Sequence, residues 1–435
     1  MNPGEIVLQF INDLEHLDIN TVYLRNHENL PDSVGNDVDL LISKDNLRKA
    51  LQRVVETARE NGWRVVRHVR FSPISVFLSS DDFKQFLHID LFDRLEWHSI
   101  EYADAGRVME SRRWNGKVYT PDPCDEVFLN VCTRLIYHGK VRDKHRCQTQ
   151  FLLNQGLQDE IQAAFIRHLG SGLGSALGGA VVGEDWPAAE SLKAALRRKV
   201  IVRYGLLSPW SALTGICRFL GRSLHRIVQP PGPFIVFEGA DGVGKTTVIC
   251  GLTHLLREIT GRSDTVLFHW KPTRASTRLA GEASGPASDP RAESPRATIL
   301  SILFLAYHWL GFWTGYLRYV LPARVKNRAV VGDRYAYEFF LDPARLRLQV
   351  PDWLARLAAA TVPQPDLVIC QIAPPQQVIV RKPELSEDEI IQYQDKLQGM
   401  ASGNPRCVIL DAGRHVAEVL TQARRMILQK LFRNR

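Results

Sequence analysis

Residues 234–247 read Phe-Ile-Val-Phe-Glu-Gly-Ala-Asp-Gly-Val-Gly-Lys-Thr-Thr, an apolar strand running straight into Gly239-x-x-x-x-Gly244-Lys245-Thr246. Backbone N–H groups wrap a triphosphate only where Cβ atoms are absent at the closest approach. Gly239, Gly242 and Gly244 leave that room. Lys245 brings a point charge to the β- and γ-phosphates, and Thr246, followed by Thr247, offers a hydroxyl to Mg2+. The helix that starts there turns its positive end toward the anion. Helix-forming residues from Val248 to Glu258 complete a strand–loop–helix setting. The segment therefore implies an ATP cradle in a phosphotransferase.

Working outward, short apolar runs alternate with helical patterns after the loop: Thr265–His269, Ala329–Gly332, Leu367–Ile372 and Cys407–Leu410. With the strand before the loop they predict an α/β domain with a five-stranded parallel sheet covered by helices on both faces. Gln229-Pro-Pro-Gly-Pro233 is a stiff connector that opens this domain, which spans 229–435. Residues 281–297 are turn-rich and poor in apolar residues, and a mobile loop near the active site is expected there. Thr298–Leu317 carries no Asp, Glu, Lys or Arg and places Gly311 and Gly315 in a Gly-x-x-x-Gly arrangement, so a membrane span is considered. Its His, Tyr, Trp and Thr residues favour a buried helix beside the sheet.

At 435 residues and 45% hydrophobic composition, the chain has enough apolar surface for two or three cored domains and is no disordered tail. Seven scattered cysteines without a Cys-x-x-Cys pair argue against a disulfide framework or zinc site, and a reducing cytoplasm is expected. The polar start, Met-Asn-Pro-Gly-Glu, does not resemble a signal peptide. A formal charge of +8 suits phosphorylated ligands and equally suits a solvated basic surface, and no specific nucleic-acid binding is expected.

Three segments carry a resemblance: Phe237 through Thr247, Gly332-Asp333-Arg334-Tyr335, and Pro365-Asp366-Leu367-Val368-Ile369. In order and spacing they resemble the thymidylate kinase family, over roughly residues 233–430. The resemblance implies that Asp241 approaches the acceptor sugar, that Asp333 organises Mg2+ and its waters, and that Arg334 holds the acceptor phosphate. It also places a basic lid at Arg381-Lys382, where Arg381 would neutralise charge on the transferring group. A bidentate guanidinium and a metal-linked carboxylate are what in-line transfer between two polyanions needs. Departures fall at the acceptor site. Ala336-Tyr337 follows the Asp-Arg-Tyr triplet where the family shows a small polar residue and Gln, His308 stands where an Arg is usual, and Lys271-Pro272 replaces an Arg-Glu-Pro-Gly turn. ATP use is thus better marked than thymidylate use, and another nucleotide or a phosphorylated sugar stays open as the acceptor.

The amino-terminal part holds a second constellation. Asp37 and Asp39 stand at alternate positions of one strand and Asp90 on another, so three carboxylates can converge on Mg2+. This resembles nucleotidyltransferases of the DNA polymerase β type over about residues 5–100, an α+β domain at 1–100 followed by a helical region at 101–228. Arg25-Asn26 replaces the family's Gly-Ser pair, and a domain that only binds or scaffolds remains an alternative. The glycine-rich piece Gly170–Gly183 reads as a loop, and residues 190–228 as basic amphipathic helices that pack on a neighbour or lie on a phosphate-rich membrane.

These observations imply a kinase using ATP and Mg2+ on a small phosphorylated acceptor. Alternatives are a nucleotidyltransferase acting through Asp37, Asp39 and Asp90, and an ATP-switched binding module on a membrane or polysaccharide assembly. A homodimer is open.

Overall fold

The computed structural model describes the chain apart from residues 36, 71, 206–208, 263, 274–276, 280–295 and 433–435. Of the loop expected over 281–297, only Arg296 and Ala297 belong to the described residues. The chain divides into two compact units, Met1–Leu224 and His225–Arg435.

In the first unit, α1 (Pro3–His16) starts at a capping box in which Asn2 and Glu5 each bond the other's backbone N–H. There follow β1 (Thr21–Tyr23), β2 (Val38–Ile42), α2 (Leu47–Glu60), β3 (Trp63–Arg70), β4 (Ile74–Ser80) and β5 (Phe86–Phe92). The sheet runs β1-β2-β5-β4-β3, and of its pairings only β2 with β5 is parallel. Burial alternates along β5, so Leu87, Ile89 and Leu91 face the core that holds Phe10 and Val54. The same alternation turns His88 and Asp90 to the opposite face.

Two small hairpins come next, β6 (Leu95–Trp97) with β7 (Ile100–Ala103), and β8 (Arg113–Trp114) with β9 (Tyr119–Thr120), separated by α3 (Ala105–Glu110). The region expected to be helical from residue 101 therefore opens with strands, which are too short to print a periodicity. The helices are α4 (Pro123–His138), α5 (Asp143–Leu153), α6 (Gln158–Leu169), α7 (Ser171–Val182), α8 (Trp186–Ser191), α9 (Lys193–Gly205) and α10 (Pro209–Val228).

α7 corrects the loop expected over Gly170–Gly183. Its glycines let it lie directly on α6: a Cβ at Gly174 would stand 2.6 Å from Ile166 Cα, and one at Gly178 2.8 Å from the Gln162 side chain. Tertiary packing here overrides the weak helix propensity of glycine.

The second unit comprises β10 (Phe234–Glu238), α11 (Lys245–Thr260), β11 (Val266–His269), β12 (Thr277–Leu279), α12 (Thr298–Gly315), α13 (Leu321–Val325) and β13 (Val330–Asp333). It continues with α14 (Glu338–Leu341), α15 (Asp352–Thr361), β14 (Leu367–Ile372), α16 (Pro375–Arg381), α17 (Glu387–Gly403), β15 (Cys407–Asp411) and α18 (Val416–Phe432). The sheet order is β12-β11-β13-β10-β14-β15. Five strands are parallel, as expected, and β12 adds an antiparallel edge that the sequence does not announce. This mixed α/β unit is compatible with a P-loop kinase fold. Every residue of β10 is buried, which matches its unbroken apolar run and its central place. The chain reaches β13 on one side of β10 and β14 on the other, so the carboxyl end of β10 is a topological switch point where α/β sheets bind ligands.

α12 runs on through one π turn, Tyr316–Val320, into α13. Thr298–Val325 is long and apolar enough to cross a membrane, with 28% of its most apolar window buried. Its inward side sends Leu305 and Phe312 into the sheet core. Gly311 and Gly315 have a local use: a Cβ at Gly315 would stand 2.2 Å from Pro272 O, and one at Gly311 3.0 Å from the Lys271 side chain. The Gly-x-x-x-Gly pair thus seats the segment that follows β11.

Candidate phosphate-binding site and a carboxylate cluster

At the end of β10 the chain turns through Gly239–Gly244 into α11. Gly242 and Gly244 have φ of +88° and +100°, which an L side chain adopts only under strain. Space is short as well as conformation: a Cβ at Gly239 would lie 2.9 Å from Gln371 O, and one at Gly242 2.9 Å from Val378 O. Among the described residues no side chain caps α11, so the N–H groups of its first turn are open to an anion. Lys245 is buried, and its Nζ donates to Gly239 O at 2.8 Å and Ala240 O at 3.0 Å. Burial, and after it the Arg334 guanidinium, pull the ammonium down to about 8. Thr246 and Thr247 are exposed on the first turn.

Strand pairing sets Asp333 beside the loop, since it lies opposite Phe237 in the register of β13 with β10. Its Oδ2 is 3.5 Å from His269 Nδ1, while its Oδ1 is buried without a hydrogen-bond partner among the described residues. Burial would raise this carboxyl, but His269 and Lys245 hold it below the usual range. Arg334 follows at φ +72°, its N–H donating to Phe237 O. The guanidinium is turned inward, 1% exposed, and paired with Asp241 at 2.9 Å and Glu338 at 2.5 Å. Tyr393 Oη also donates to Glu338, at 2.8 Å. Glu238, fully buried, is pushed well up by that burial and then by Glu338.

Asp241 is gripped a second time, by Arg345 Nη1 at 2.7 Å. Burial favours its neutral form, yet Arg334, Lys245 and Arg345 together hold it far below the carboxylate range. The structure thus brings Asp241, Lys245, Asp333 and Arg334 to one corner. It adds Arg345, Glu338, Glu238 and Tyr393, which sequence reasoning missed. Glu338 stands four residues after Arg334, a spacing that offers a pairing signal; Arg345 is 104 residues from Asp241 and offers none.

Arg381 closes α16 over the same loop, its Nη1 lying 3.8 Å from where a Cβ on Gly244 would be. At the positions where the sequence departs from the family pattern, Lys271 Nζ is 3.3 Å from His308 Nδ1 and sits over the Tyr307 ring, while Trp270 packs against His308 with ring centroids 4.7 Å apart. Burial, then Lys271 and Arg296, bring His308 down to about 4, so it is neutral at pH 7.

Within the first unit, Asp37, Asp39 and Asp90 offer carboxylate oxygens that all lie within 4.8 Å of one another. Asp37 stands just before β2 rather than on it, and Asp39 pairs in register with Asp90. Asp39 is fully buried, ion-paired with Arg25, and keeps Oδ1 without a partner among the described residues. Burial, reinforced by the other two carboxylates and only partly offset by Arg25, raises it to about 6. Asp90 is held by Ser75 Oγ at 2.5 Å and His88 Nε2 at 3.0 Å.

No protein-family model matches the chain, and no curated protein matches it. Among solved structures, thymidylate kinase from Ehrlichia chaffeensis is similar at 18% identity and a TM-score of 0.33, over 46% of this chain and 100% of that one.

Proposed function

We propose that the second unit is a phosphotransferase that moves the γ-phosphoryl of ATP to a nucleoside monophosphate, dTMP or a related phosphorylated acceptor. One observation carries this reading: the glycine loop ending at Lys245 and the strand end carrying Asp333 and Arg334 sit side by side at the switch point of the sheet. In it, the loop N–H groups and Lys245 hold the phosphates, and Arg381 meets the transferring group. Asp241, Arg334 and Arg345 form the acceptor end. Thr246 and Asp333 fit Mg2+, since Asp333 presents an ionised hard oxygen with no protein partner among the described residues. Mg2+ when bound neutralises charge on the phosphates being parted. Incubation with γ-labelled ATP and a panel of nucleoside monophosphates and sugar phosphates tests the proposal. Label on an acceptor supports it, and release of free phosphate alone against every acceptor refutes it.

The converging carboxylates favour a second reading for the first unit, nucleotidyl transfer through Asp37, Asp39 and Asp90. The unpartnered Asp39 Oδ1 suits a cation, while Arg25 already supplies one positive charge there. α-Labelled ATP separates the two readings, because only nucleotidyl transfer moves that label to an acceptor.

A further inference from the structure

The carboxylate cluster of the first unit has a set of opposite charges beside it. Arg25, two residues after β1, is ion-paired with Asp39, and its neighbour Asn26 accepts from Lys144 Nζ at 2.6 Å. Lys144 precedes His145 on α5, and His145 Nε2 is 3.4 Å from Arg134 Nε on α4. Arg142 stands at the amino-terminal end of α5. Four cations from separate stretches of chain thus gather next to Asp39. His145, which is buried, feels all four: burial, then Arg134, Lys144, Arg25 and Arg142, bring it down to about 4. Arg134 is itself lowered by burial and then by Arg142 and Arg25, while Asp37 and Asp39 act on it in the opposite direction.

Arg25 is answered by Asp39, but Arg134 and Arg142 have no carboxylate partner among the described residues. Acids on the same two helices are committed elsewhere: Asp143 is 95% exposed and pairs with Arg146, and Glu126 accepts from Gln148 and meets His27. Cations gathered without counter-charge repel one another, and a bound anion relieves that repulsion. Guanidinium groups fit phosphate oxygens, and a carboxylate cluster fits a hard divalent cation. An oligophosphate with its Mg2+ answers both halves of this surface at once. Four cations exceed what a single phosphate needs, which favours a tail of two phosphates or more.

We propose that Arg134, Arg142 and Lys144, together with Arg25, form an oligophosphate-binding site that takes the polyphosphate tail of a nucleoside triphosphate beside Asp37, Asp39 and Asp90. The site deepens the nucleotidyl-transfer reading of the first unit and rests on it for the identity of the nucleotide.

Inorganic tripolyphosphate with Mg2+ is the probe, titrated calorimetrically into the full chain carrying Lys245→Ala, so that the glycine loop of the second unit contributes little. One-site binding is expected, weakened by salt. Adding Arg134→Gln/Arg142→Gln should weaken it at least about tenfold, because two charge-assisted contacts are lost. Arg48→Gln/Arg59→Gln removes the same charge from exposed positions on α2, which covers the opposite face of the sheet from Asp90, and should change affinity by less than about twofold. Should the Arg134 variant not fold, Arg142→Gln/Lys144→Gln alters two exposed side chains and should by itself weaken binding about tenfold. Absence of binding to the Lys245→Ala chain, or equal affinity in a folded cluster variant and its parent, overturns the proposal. α-Labelled ATP separates this failure from failure of the transfer reading. Loss of tripolyphosphate binding in the cluster variants, with no α-label moved by the wild type, supports the site and refutes the transfer. Transfer of α-label with an unchanged KM for ATP in the cluster variants supports the transfer and refutes the site.

Discussion

Lys245 is a buried cation whose ammonium donates to the carbonyls of its own loop, Gly239 O and Ala240 O, and stands 3.8 Å from Asp241 Oδ1. Burial, then Arg334, bring it down to about 8. Protonated lysine attracts phosphate and neutral lysine does not, so ATP affinity of the free protein should be level below that pH and fall as pH rises through it. The limiting slope is about tenfold per pH unit, and Lys245→Arg should abolish it because guanidinium stays charged. Titrating the dissociation constant from pH 6 to 10 checks this. Asp241 gives the second test at this scale. Arg345 is the more exposed of its two arginine partners, at 23% against 1% for Arg334. If Asp241 and its arginines form the acceptor end as proposed, Arg345→Ala should raise the KM for the acceptor about ten- to hundredfold while leaving ATP affinity unchanged, since it removes one charge-assisted contact there. An effect confined to ATP would contradict that placement.

Among elements, the glycines of α7 show what sequence reading misses and why. Glycine usually weakens a helix, so a glycine-rich run reads as a loop. Here Gly174 admits the backbone of α6, whereas Gly179 is exposed with nothing nearer than 4.0 Å to a Cβ placed on it. The same substitution should therefore act with opposite sign at the two positions. Gly179→Ala should stabilise by about 0.5–1 kcal/mol through helix propensity, and Gly174→Ala should destabilise by about 1–3 kcal/mol through overpacking. Midpoints of urea unfolding measure both. Strands were more legible. β11, β13, β14 and β15 fall within one or two residues of the apolar runs that announce them, because a strand buried on both faces needs an unbroken apolar stretch. β12 is three residues long and the hairpins of the first unit hardly longer, and their pairing rather than their composition makes them strands.

For the whole molecule, chemistry-bearing residues that sit in a motif or at a readable strand were legible even where folding brings them together, and those carried on turns without a local pattern were not. The glycine loop and the Asp333-Arg334 pair can be read as motifs, and alternation along strands accounts for the meeting of Asp39 with Asp90 across a parallel register. The Arg345 grip on Asp241 spans too much chain to leave a local pattern. Because the two constellations lie in separate compact units, their activities should separate by mutation. Asp37→Asn/Asp39→Asn should leave γ-phosphoryl transfer within about twofold of wild type, as expected for independent sites that share no partners. Loss of that transfer in a folded double variant would show that the units act as one enzyme.

Calorimetric titration of MgATP into the wild-type protein and into Lys245→Ala tests the central claim most directly. Saturable one-site binding is expected for the wild type, weakened at least about a hundredfold in the variant, as removal of a buried charge partner costs. Equal affinity in the two proteins, or no binding to either, would contradict the claim that the loop from Gly239 to Lys245 holds a triphosphate.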